Sequence, residues 1–95
     1  NKMAAKSMEL ADTIEMMKSA DYKERFQAEY YQLKIRLEKL TAMIKKWDKG
    51  ELPFTPTCPR RTYNWQMKAM ADYLAALETR AVMEDVVLGD ENDGK

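Results

Sequence analysis

The sequence predicts an all-α protein, a long antiparallel helical hairpin with a short N-terminal helix, assembled as an oligomer. Three observations carry this. Phe26, Tyr30, Leu33, Leu37, Leu40, Ile44 and Trp47 follow one another in alternating steps of four and three. Tyr63, Met67, Met70, Leu74, Leu77 and Ala81 repeat those steps. Between the two ladders lies a short stretch holding Pro53 and Pro56. A 3.5-residue period keeps one apolar seam against a partner helix. Two such helices joined by a short loop fold back on each other.

Each element has its own signals. Ser7 is placed to cap a first helix reaching about Ser19, with Leu10, Ile14 and Met17 as its apolar stripe. Ser19-Ala20-Asp21 reads as a break followed by a new cap, and Asp21 with Glu24 has capping-box spacing. The second helix then runs from Tyr22 to about Lys49, about 42 Å at 1.5 Å per residue. Lys45, Lys46 and Lys49 suit the negative end of its dipole, and Gly50 supplies a left-handed stop. Pro53 and Pro56 lack the N–H a helix needs, so 51–58 is a loop, with Leu52 and Phe54 expected to pack back on the helix ends. Thr57 or Cys58 caps the third helix, with Pro59 in its first turn; Thr62 is an alternative start. That helix is expected to reach about Leu88 and stop at Gly89. Residues 1–89 thus form a single domain, and 90–95 a disordered acidic tail.

Composition narrows the function. Sixteen basic and sixteen acidic side chains cancel, which argues against nucleic acid as a partner. No stretch approaches the roughly 18 apolar residues of a membrane span. Glu9, Asp12 and Glu15 interrupt any signal-peptide core. A single cysteine suits a reducing compartment, so the expected location is cytoplasmic. There is no histidine, which excludes imidazole-based triads and metal sites. One thiol cannot hold zinc, and Cys58 reads as a small buried loop residue. No phosphate-loop or dinucleotide fingerprint is present. A non-enzymatic protein without cofactor or metal is the expectation.

What remains is a set of cations and aromatic rings near helix ends. Tyr22, Lys23 and Arg25 open the second helix, where free N–H groups favour anions. Arg60 and Arg61 open the third, against the dipole preference, as if an anion or an acidic group such as Asp48 or Glu51 lay close. Arg80 sits beside the seam with Glu84 four residues on. These six are the candidate ligand-binding residues: tyrosine stacks on a base, while lysine and arginine neutralise phosphate. Antiparallel helices bring Arg80 to Tyr22 and leave Arg60 and Arg61 at the far end, unless a neighbouring subunit joins the two ends. Apolar surface beyond one seam, at Tyr31, Ile35, Tyr73 and Val82, predicts the homo-oligomer.

The run from Tyr22 to Leu40, Thr57-Cys58-Pro59, and the stretch from Gln66 to Ala81 resemble small phage and prophage proteins, including relatives in crAss-like phages. The plan is also similar to the hairpin domain of phage anti-CBASS and anti-Thoeris sponges, with Cys58-Pro59 at the turn and Leu77-Glu78-Thr79-Arg80-Ala81 near the end of the second long helix. The β-rich portion of the anti-Thoeris type has no counterpart here. The resemblance implies a phage-encoded homo-oligomer that captures a cyclic nucleotide or cyclic ADP-ribose-like immune signal in the host cytoplasm without cleaving it. A helical protein-interaction module, binding a host or phage protein through its apolar flank, is the alternative.

Overall fold

The computed structural model describes residues 8–88. Ser7, Gly89 and the tail at 90–95, to which the sequence assigns a cap, a stop and disorder, lie outside them. A 3-10 turn, Leu10–Thr13, leads into α1, Ile14–Met17; α2 follows as Tyr22–Asp48 and α3 as Arg60–Glu84. Among the described residues all regular structure is helical.

The two ladders form the seam. Every member is buried or half-buried. The core cluster is Phe26, Tyr30, Leu33, Leu77, Ala81 and Val86, with Tyr31, Met70, Leu74 and Leu88 packed against it. Cross-helix contacts fix an antiparallel pairing. The Tyr30 hydroxyl reaches Glu78, the Thr41 hydroxyl reaches Met67 Sδ, and Arg60 meets Asp48. Burial is deepest at the start of α2 and the end of α3, where Phe26 and Leu77 are almost fully enclosed; Ile44 is buried toward the loop end, and the seam between is half-buried at Leu37 and Leu40.

The N-terminal segment differs from the expected helix. Glu9 is its cap, because the Glu9 N–H donates to Asp12 at 2.8 Å. Thr13 donates its hydroxyl proton back to the Leu10 carbonyl at 2.7 Å, which suits a tight 3-10 turn rather than a long α-helix. Its oxygen accepts from Gln32 Nε2 at 2.9 Å, so this fully buried hydroxyl is satisfied on both sides. Ala28 and Ile35, buried on the same face of α2 as Gln32, lie under this segment. The expected stripe is only partly used, since Ile14 and Met17 are half-exposed.

The caps account for the remaining boundaries. Asp21 accepts from the Lys23 N–H at 2.9 Å, while the Ser19 hydroxyl, not Glu24, takes the Asp21 N–H. Gly50, at φ 72°, closes α2 as expected, with the Glu51 N–H on the Lys46 carbonyl. Pro59 itself is the cap residue of α3, displacing Thr57 and Cys58, and no side chain caps that end. Cys58 is exposed, contrary to the buried position expected of it. At its other end α3 stops at Glu84, four residues early. Asp85 turns left-handed at φ 63°, and Val86 donates to the Ala81 carbonyl and drops into the core. The chain turns there because burying Val86 and Leu88 requires it to leave the helix axis.

Two residues credited with intermolecular surface are used within the fold. Ile35 is buried and Tyr31 packs on the core cluster. Tyr73 and Val82 remain exposed.

Removing a side chain from the enclosed end of the seam is expected to cost most. Leu77→Ala leaves a cavity and should destabilise by about 2–5 kcal/mol in urea unfolding, clearly more than Leu37→Ala at a half-buried position. Equal losses at the two sites would contradict the difference in burial.

Candidate functional site at the hairpin ends

The start of α2 and the end of α3 meet, and with them Tyr22 and Arg80. Arg80 Nη2 donates to the Tyr22 oxygen at 2.5 Å, Tyr22 donates to Glu84 Oε1 at 2.7 Å, and Arg80 Nε donates to Glu84 Oε2 at 3.0 Å. The guanidinium lies 4.6 Å from the centre of the Phe26 ring, which meets the Tyr22 ring edge to face. This closed triangle moves all three protonation equilibria. The hydrogen bond from Tyr22, then that from Arg80, holds Glu84 below the ordinary carboxylate range. The bond to Glu84 pushes the Tyr22 phenol up and raises Arg80 as well.

A second group adjoins it. Tyr73, one helix edge along from Arg80, donates to Glu29 Oε2. That bond raises the Tyr73 phenol, and Glu29 is near enough to Arg80 to favour its charged form. Glu29 also lines a cleft of about 320 Å³ with Met17, Arg25 and Gln32. Residues 25, 29 and 32 share one face of α2 because they stand four and three apart. Arg25 is steadied by one donor on the Ser19 carbonyl at 2.8 Å. Lys23 is drawn away to the Asp85 carbonyl at 3.1 Å, and Gln27 to the Val87 carbonyl. These two tie down the chain after α3.

Arg60 and Arg61 lie at the opposite end. Arg60 pairs with Asp48 at 3.1 and 3.3 Å, bonds Asn64, and stands 5.9 Å from the Trp47 ring centre. Trp47 and Tyr63 meet edge to face beside it. The pairing offsets the poor fit of a cation to a helix start. Arg61 is exposed and makes no bond among the described residues. A cleft of about 290 Å³ opens nearby between Lys39, Met43 and Lys46 of α2 and Leu52, Pro53 and Phe54 of the loop.

Of the six candidates, then, Tyr22, Arg25 and Arg80 share one strip, Lys23 borders it, and Arg60 and Arg61 stand apart. Glu29, Gln32 and Tyr73 belong to the strip without having been singled out, while Glu84 is there as the partner expected of Arg80 four residues on. The spacing of 25, 29 and 32 on one helix face was available as a signal. The cross-helix partners depend on the pairing register.

The triangle makes stability depend on acid. A carboxylate with a lowered folded pKa contributes stability above its unfolded value, near 4.5, and loses it as pH falls through the folded value. Glu84→Gln is therefore expected to lower the melting temperature at about pH 7 and to flatten its decline toward about pH 3. Parallel curves for the two proteins would contradict the triangle.

The sequence profile of the Sequestin family matches residues 20–83, which takes in α2, the loop and nearly all of α3. No curated protein and no solved structure matches the chain. The family's name suggests sequestration, and so a binding protein. The match spans more than half of the 95 residues, includes the seam, and runs across the strip formed by Tyr22, Arg25, Glu29, Tyr73 and Arg80. This chain belongs to the Sequestin family.

Proposed function

We propose that this protein is a phage-encoded, non-catalytic sponge that sequesters a nucleotide-derived immune signal, a cyclic oligonucleotide or a cyclic ADP-ribose-like molecule, in the host cytoplasm. Capture without cleavage blocks the host's anti-phage defence. The observation that carries this reading is the strip of two arginines, two tyrosines and two carboxylates beside the cleft at Arg25, in a chain whose family is named for sequestration.

Each group has a use toward such a ligand. Arg25 keeps guanidinium donors beyond the one on Ser19, and these suit a phosphate. Glu29 retains an oxygen that Tyr73 does not occupy, which suits a ribose hydroxyl. The Met17 thioether offers a polarisable wall for a base. The cleft volume falls at the small end of ligand pockets, which run from about 300 to 1,000 Å³. Arg80 and Tyr22 extend the strip for a second charged group, while Lys23 shapes its border. Arg60 and Arg61 form a separate basic end for a larger ligand or another subunit. The alternative, a module that inhibits a host or phage protein, draws on the exposed apolar residues of α3.

A thermal-shift screen against cyclic dinucleotides, cyclic trinucleotides and cyclic ADP-ribose isomers is expected to find a ligand that raises the melting temperature. Heat denaturation should release it with unchanged mass. In calorimetry Arg25→Ala and Arg80→Ala should each weaken binding about tenfold or more, near 1.4 kcal/mol. Arg60→Ala with Arg61→Ala, at the opposite end of the same subunit, should weaken it less than either. Unchanged affinity in both single variants would overturn the placement, and a cleaved product would overturn the sponge.

A further inference from the structure

The face of α3 turned away from α2 carries a second ladder. Trp65, Ala69, Asp72, Ala76, Thr79 and Met83 stand in steps of four, three, four, three and four, and all six are exposed. An unpartnered helix face is ordinarily polar. Here its two ends are Trp65, 75% exposed, and Met83, 79% exposed, with Val82 beside the latter at 82%. The two polar members are already satisfied within the helix. Asp72 pairs with Lys68 at 3.0 Å, and the Thr79 hydroxyl donates to the Ala75 carbonyl at 3.0 Å. Covering this stripe therefore leaves each polar member one partner inside its own helix, at the cost of removing water from the Lys68–Asp72 pair.

We infer that this face pairs with a second copy of the chain, α3 against α3, antiparallel about a two-fold axis near Leu74. A two-fold contact demands that residue i meet j while j meets i. The ladder meets that demand. Trp65 falls opposite Met83, Ala69 opposite Thr79, and Asp72 opposite Ala76, each pair centred on position 74. Large residues lie at the ends and small ones in the middle, so the helices approach closely and the ends interlock. Charge follows nearly the same symmetry, centred one residue away on position 73. Arg61, which is exposed, precedes the ladder, and Asp85 follows it; among the described residues neither the guanidinium nor the carboxylate makes a bond. Antiparallel pairing sets each arginine against the other copy's aspartate. A parallel arrangement would set like charges together.

The pairing rests on α3 alone. Its consequence for binding rests on the function proposed above: Arg61 of the second copy arrives at the corner held by Asp85 and Lys23, next to Tyr22. The end that one subunit leaves out of the strip is then supplied by the other.

Sedimentation equilibrium without ligand tests the pairing. The parent protein at micromolar concentration is expected at twice 11.1 kDa. Trp65→Glu and Met83→Lys should each shift the mass to that of one chain, with helical circular dichroism unchanged because both sites are exposed. The double variant, Trp65→Glu with Met83→Lys, sets opposite charges across both contacts. It should recover the dimer at low salt and lose it at high salt. A parent of one-chain mass, a dimer indifferent to both single variants, or a double variant that stays monomeric at low salt would each overturn the pairing. Because no ligand is present, these outcomes are separate from those that test the sponge.

Discussion

The structure depends on one line of contact. α2 and α3 touch along a single seam, and its enclosed end, around Phe26 and Leu77, is where the chain does most of its burying. A two-helix pair has no third layer to compensate for a lost side chain. The short N-terminal turn covers a different face of α2, over Ala28 and Ile35, and leaves the seam unsupported from α3's side. The seam's register decides which polar residues meet across it. Tyr22 reaches Glu84, and Tyr73 reaches Glu29, only because the ladders pair as they do.

That dependence explains the character of the candidate site. Its residues lie on the flank of the seam, on loops of hydrogen bonds closed between two helices. Arg80 is held by a neighbouring carboxylate, a phenol and an aromatic face at once. A guanidinium so fixed loses less freedom when an anion arrives than one moving freely in water. Arg60 is held in the same manner at the other end, by Asp48 and Trp47.

The sequence displayed the seam in full, because a heptad period records helix, face and partner together. Gly50 was legible for a local reason, its freedom at positive φ, and Asp21 for its side-chain acceptor. The end of α3 was not legible. Asp85 in a left-handed turn follows from the burial of Val86, a tertiary gain that no local signal announces. The same holds for the N-terminal turn, where Thr13 reads as an ordinary helix residue until Gln32 is found above it. In the site, Tyr22 and Arg80 were placed together by antiparallel logic alone. Glu29 and Tyr73 were not, since each looks like surface until the other is opposite.

The Thr13–Gln32 contact also bears on the cleft. The Thr13 proton is committed to the Leu10 carbonyl, so its oxygen can only accept. Gln32 must therefore turn its amide nitrogen toward Thr13, where the Met17 sulfur also takes a contact from it at 2.6 Å. A buried threonine outside the cleft thus fixes which way round the Gln32 amide sits in the cleft wall.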